Sequence, residues 1–201
     1  MKKVATFITA SALTAALTVS AAAANLSHTV VAGDTMWKLA VKYQVGTSEI
    51  IAANPQIANP NLIYPGQILN IPQLSDTGLS YEAEVIRLVN DIRVQNGLKA
   101  LTTNWELSRV ARYKSEDMSS ARYFSHTSPT YGTPFQMMRS FGLSYRTAGE
   151  NIAYGQRTPA AVVDAWMNSS GHRANILNSS YTQIGVGYCA SGNYWTQMFI
   201  G

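Results

Sequence analysis

A break in pattern at Pro72 sets the strongest limit on how this chain can fold. The block before it, residues 28–72, is close to the size (about 40 residues) below which a domain needs a disulfide, a metal or a partner. The only cysteine, Cys189, lies in the other block. No disulfide can form within one chain, and no multi-cysteine zinc site can be built. The short block can bury little core and is expected to be marginal and surface-directed. Residues 73–79, beginning Gln73-Leu74-Ser75-Asp76-Thr77-Gly78, are polar and small and read as a linker. Residues 80–201 form the longer block.

Of the 201 residues, 46% are hydrophobic and 13% charged, which excludes wholesale disorder. The net charge of +4 includes Lys2 and Lys3. Without them the surplus is too small to argue for nucleic acid as a partner. Residues 1–24 have the form of a secretory signal: a basic start, an apolar run from Val4 to Val19, then Ala22-Ala23-Ala24. No later stretch approaches ~18 consecutive apolar residues, so no transmembrane segment is expected after signal removal. The expected product is secreted.

In the short block, His28-Thr29-Val30-Val31 reads as a strand and Gly33-Asp34-Thr35 as the turn into a helix. Met36, Ala40 and Tyr43 give that helix one apolar face. Thr47 is placed to cap a second helix, which Asn54-Pro55 ends. Ile68–Pro72 reads as a closing strand, so the order is βααβ.

This block resembles a LysM domain. The resemblance rests on Val30-Val31-Ala32-Gly33-Asp34-Thr35-Met36-Trp37-Lys38-Leu39-Ala40, on Ile51-Ala52-Ala53-Asn54-Pro55, and on Leu62-Ile63-Tyr64-Pro65-Gly66-Gln67-Ile68-Leu69-Asn70-Ile71-Pro72. It implies binding of N-acetylglucosamine glycans, peptidoglycan or chitin-like, in a groove between two connections. Gly33, Asp34, Thr35 and Met36 line one side, and Asn54, Pro55, Ile57, Leu62 and Ile63 the other. Asp34 and Thr35 also suit a purely local role at the helix start. Trp37 is expected in the core rather than as a sugar platform.

In the long block, Glu82–Gln95 is helical by period, with Val85, Leu88, Val89 and Ile92 inward. Thr103-Asn104-Trp105-Glu106 reads as a capping box for a helix that buries Leu107, Val110, Ala111 and Met118. Thr133-Pro134-Phe135-Gln136 is a second box, and Thr158-Pro159 starts a further helix. Gln183–Cys189 and Tyr194–Ile200 form a hairpin. Helices followed by a hairpin indicate a layered α+β class.

The polar segments between these elements resemble the CAP superfamily of cysteine-rich secretory, antigen 5 and pathogenesis-related 1 proteins. They are Tyr123-Phe124-Ser125-His126, Gly149-Glu150-Asn151-Ile152-Ala153, and Trp166 through Leu177 with its Gly171-His172. The family fold is an α-β-α sandwich, and its cleft holds two histidines and two acids. His126, Glu150 and His172 fall on three of these positions. The second acid falls at position 169, which here is serine.

Two imidazoles and a carboxylate suit a zinc ion with one open position. The resemblance implies a divalent metal such as zinc at His126 and His172. Metal-assisted peptidoglycan hydrolysis using Glu150, His126 and His172 is one expectation; a binding or assembly module, with the three side chains fixing its loops, is the other. The missing acid favours the second, since glycoside hydrolysis usually needs two carboxyls. Cys189 reads as a small buried thiol rather than a nucleophile. The expected protein is a secreted, cell-wall-associated LysM–CAP protein, the spore envelope being one such location. Its partners are peptidoglycan glycan and an envelope protein or lipid.

Overall fold

The computed structural model describes residues 26–73 and 76–201. The expected leader, 1–24, lies outside the described residues. The short module has the expected order: β1 (Leu26–Thr29), α1 (Met36–Tyr43), α2 (Thr47–Ala52) and β2 (Ile68–Ile71). β1 and β2 pair antiparallel, with Leu26 opposite Ile71 and Thr29 opposite Ile68. Val30, Met36, Leu39, Ala40, Val45, Ile50, Leu69 and Ile71 form its core. Thr35 caps α1, accepting the Lys38 amide on Oγ1 at 3.1 Å.

Two details depart from expectation. The cap of α2 is Gly46, not Thr47, which already has helical geometry; the Gly46 carbonyl takes the amides of Glu49 and Ile50. Trp37 is not in the core but 66% exposed. Met36, Leu39 and Ala40 occupy the inward stripe of α1, which leaves Trp37 and Val41, one turn on, facing out.

The long module opens with α3 (Asp76–Gln95), so the second half of the expected linker is already helix. Then come β3 (Thr102–Thr103), α4 (Trp105–Ser120), α5 (Pro134–Ser140), β4 (Ala148–Tyr154), α6 (Pro159–Met167), α7 (Ser170–Ile176), β5 (Gln183–Cys189) and β6 (Tyr194–Ile200). Thr103 belongs to β3, so the cap of α4 falls to Asn104, whose Oδ1 accepts the Leu107 amide at 3.0 Å. The box at Thr133 forms with both reciprocal bonds.

The sheet order is β3-β5-β6-β4, with β3 parallel to β5 and the other pairs antiparallel. Val85, Val89, Val162, Trp166, Ile184, Val186, Trp195 and Phe199 form the core on the α3 and α6 face. Leu107, Val110, Ala111, Met137, Met138, Met198 and Ile200 form the core on the α4 and α5 face. This is the α-β-α sandwich. It depends on Gly185 and Gly187 of β5: a Cβ on either would sit inside the backbone of α4 at Leu107–Ser108 or Ala111–Arg112. Bare backbone here lets the helix lie directly on the strand.

Arg93 ties α3 to the far end of α7. It is buried, and its guanidinium donates to the carbonyls of Lys99, Ile176 and Asn178 at 2.7–3.0 Å. β4 ends the sheet. Along it, the carbonyls of Ala148, Glu150 and Ile152 accept from Tyr181 Oη, Asn175 Nδ2 and Trp166 Nε1. Alternate carbonyls of a strand point to the same side, so side chains cover the side facing away from β6.

Candidate functional site

The Gly149–Ala153 segment, expected as an irregular polar stretch, is strand β4, and this places the cleft. Successive strand residues point to opposite faces. Glu150 stands opposite Met198 and faces the α4 layer, while Asn151 stands opposite Gln197 and faces α7. Glu150 Oε1 lies 2.7 Å from His126 Nδ1. Asn151 donates to the His172 carbonyl at 3.1 Å and to Gln197 Oε1 at 3.0 Å, and its own oxygen accepts from Asn175 at 2.9 Å. One strand thus sets both histidine-bearing segments, one from each face.

The His126 segment is held from below by Lys114 of α4, a residue the sequence reading passed over. Lys114 is fully buried. Its ammonium donates to the carbonyls of Ser125 at 2.7 Å and His126 at 3.0 Å, and to Tyr123 Oη at 3.0 Å. Asp117, one turn further along α4, accepts from Tyr123 Oη, and from Ser128 Oγ and Thr130 Oγ1 at 2.7 Å each. Two buried charges of opposite sign therefore shape the loop between α4 and α5. The spacing of Lys114 and Asp117 on the inward face of α4 was the available signal.

Burial dominates the titration of the cleft. It pushes the Glu150 carboxyl up, against the His126 bond and the charges of Lys114 and His126. It pushes His172 down, and repulsion from His126 adds to this, so the two imidazoles share one electrostatic environment. Burial lowers Lys114 as well, opposed by Glu150 and Asp117. For Asp117 burial is outweighed by its three hydroxyl bonds and Lys114, and its carboxyl stays below the usual range. Glu150 Oε2 is buried and meets no hydrogen-bond partner.

The metal reading requires donors. A catalytic zinc site takes three protein ligands and an open position. Here Glu150 is turned onto Nδ1 of His126, and no group of three His, Cys, Asp or Glu side chains placed to hold a metal occurs among the described residues. The residues present do not fit a three-donor site. Ser169 is the N-cap residue of α7 with no side-chain capping bond, and Asp164 is exposed on α6. Ser125 Oγ accepts the Thr127 amide and lies in no triad with His126. Cys189 is half-buried at the end of β5, less enclosed than expected.

In the short module, Asp34 Oδ2 accepts the Val31 amide at 2.9 Å and meets His28 Nε2 at 2.8 Å. The Val31 bond, then His28, holds its carboxyl below the usual range. Asn54 is buried and pins α2 to β2, donating to Ile50 and Asn70 carbonyls at 2.7 Å each. Met36 is in the core, with Ile57 and Ile63 packed against it. Gly33, Thr35, Pro55 and Leu62 are the members of the expected groove left exposed. Exposed aromatics also flank the other cleft: Phe124 and Tyr154 lie 4.9 Å apart.

Residues 86–199 match the CAP family, the cysteine-rich secretory protein family, and residues 28–72 match the LysM domain. The chain is 61% identical over 122 residues to the uncharacterized protein YkwD of Bacillus subtilis (strain 168), covering 61% of this chain and 48% of that protein. It is 43% identical over 72 residues to the probable autolysin SsaALP of Staphylococcus aureus (strain NCTC 8325 / PS 47), covering 35% of this chain and 26% of that one. Among solved structures, an extracellular protein containing a SCP domain from Bacillus anthracis str. Ames superposes with a TM-score of 0.60 at 33% identity, covering 68% of this chain and 47% of that one. The chain spans about half the length of YkwD and of the Bacillus anthracis protein. With the sandwich and more than half the chain matched, this protein belongs to the CAP family and carries a LysM domain ahead of its CAP domain.

Proposed function

We propose that this is a secreted cell-envelope protein that holds N-acetylglucosamine glycan of peptidoglycan in its LysM groove and offers its CAP cleft as a binding and assembly surface. The observation that carries the reading is the serine at position 169. The position where the family has its second acid gives Glu150 no carboxylate partner, and Glu150 is bound to His126 instead. Glycoside hydrolysis by paired carboxyls has no second member there. A buried carboxyl under an exposed imidazole suits a fixed hydrogen-bonding surface for a polar ligand. The occupant of the CAP cleft in this reading is an envelope protein or lipid.

One observation favours hydrolysis as the alternative. The His126 side chain is 53% exposed while Nδ1 is held by Glu150, which leaves Nε2 free to take a proton from an attacking water. Incubating the mature chain with purified peptidoglycan, with and without zinc, separates the two readings. Intact glycan retained with the protein on the pellet supports binding. Soluble fragments of defined mass that vanish with Glu150→Ala make the cleft hydrolytic. Fractionation of vegetative wall from spore envelope then reads the address.

A further inference from the structure

The two modules touch through one ion pair whose surroundings are built for it. Glu49, in the first turn of α2, receives Arg109 of α4 on both oxygens: Nε to Oε1 at 2.6 Å and Nη2 to Oε2 at 2.8 Å. Arg109 Nη2 also donates to Ser48 Oγ at 3.0 Å, and Ser48 in turn donates to Glu49 at 2.7 Å. The guanidinium lies over the rings of Tyr113 at 5.3 Å and Phe141 at 5.1 Å. Its own module thus holds the fork in place before Glu49 arrives. The side chains are 18% and 26% exposed, so water screens this pair less than an ordinary surface bridge.

Gly46 adds an independent sign. Its φ of −73° and ψ of 151° suit any residue, so the backbone does not ask for glycine. Yet a Cβ there would overlap Glu49 Oε2 and the guanidinium of Arg109. The missing side chain makes room for a residue of the other module. The two modules also face each other across the seam: a hollow of about 140 Å³ there is lined by Val45, Glu49 and Pro72 on one side and Arg109, Arg112 and Tyr113 on the other.

We infer that the LysM and CAP modules are docked as one rigid body, with α2 seated on α4 through Glu49–Arg109 over Gly46. The seat has a consequence for the CAP cleft. Arg109 and Lys114 lie on the same helix, five residues or about 7.5 Å of rise apart, and Lys114 holds the His126 carbonyl. One straight element therefore joins the seat to the cleft. The separation of LysM groove and CAP cleft is fixed, where a flexible linker would let it sweep.

The test is backbone 15N relaxation on the full mature chain. The wild type gives one rotational correlation time for residues 28–72 and 80–201. Gly46→Val displaces the ends of the ion pair, and Arg109→Ala removes it without changing any atom of the LysM module. Each variant gives a shorter correlation time for 28–72 alone. Two correlation times in the wild type overturn the inference. So does a single one retained in Arg109→Ala, which also covers the case of Gly46→Val failing to fold.

Discussion

The Glu150 carboxyl is 1% exposed and its hydrogen-bonding neighbour, the His126 imidazole 2.7 Å away, is 53% exposed. A buried acid is thus reached from outside through one ring. Removing the ring and removing the charge should have opposite consequences. His126→Ala strands the carboxyl, at about 1–3 kcal/mol. Glu150→Gln removes the charge that burial disfavours and keeps a polar partner for Nδ1, so stability at pH 7 is unchanged or slightly higher. Urea unfolding of both variants and of the double variant reads this. A Glu150→Gln chain less stable than His126→Ala refutes it.

The Glu49 carboxyl gives a pH signature. Burial would raise it, but bonds from Arg109, Ser48 and Tyr113 and the Arg109 charge bring it from 4.5 to about 2. A carboxyl lowered on folding stabilises above its unfolded value and loses that contribution as pH falls through its folded value. The contribution is therefore complete above pH 4.5 and fades towards pH 2. It is on the order of 2 kcal/mol once partial exposure is allowed for. Denaturation of wild type and Arg109→Ala should show a difference that shrinks below pH 4.5; a difference flat to pH 2.5 contradicts it.

Two glycines make a contrast in the CAP module. Gly187→Ala drives a methyl into the α4 backbone, and neither element has a flexible atom to yield. A loss above ~3 kcal/mol, or failure to fold, is expected. Gly171→Ala, in the first turn of α7, meets nothing within 4 Å. It should be neutral or gain up to ~1 kcal/mol from helix propensity. Thermal melts of the two variants decide it.

In the LysM module, Trp37→Ala should change stability by less than ~0.5 kcal/mol, because the indole packs against little. Asn54→Ala should cost more than ~2 kcal/mol, since it leaves the buried carbonyl of Ile50 and the amide of Asn70 without their partner. Equal losses in chemical denaturation would contradict the assignment of Trp37 to the surface.

The layers, the hairpin and most helices were legible because periodicity reports burial directly. Ile184 and Val186 alternate with glycines, and the alternation is the sheet. β4 was not legible. Glu150 and Asn151 look like loop residues until the partners on each face are known, and those partners come from positions 126, 172, 175 and 197. The resemblance does not line the groove with tryptophan and so points Trp37 to the core, whereas Met36, Leu39 and Ala40 already fill the inward stripe of α1. Arg109 and Glu49 look like solvated charges on separate helices; only the docked modules pair them. Lys114 was hidden for a similar reason, since a lysine on a helix is normally at the surface.

The covered margin of β4 also governs what happens between molecules. An open margin is a template on which another chain can add a strand. Here Tyr181, Asn175 and Trp166 already occupy the carbonyls that a visiting strand would need. At this margin of the sheet, strand addition by a neighbouring molecule is therefore blocked.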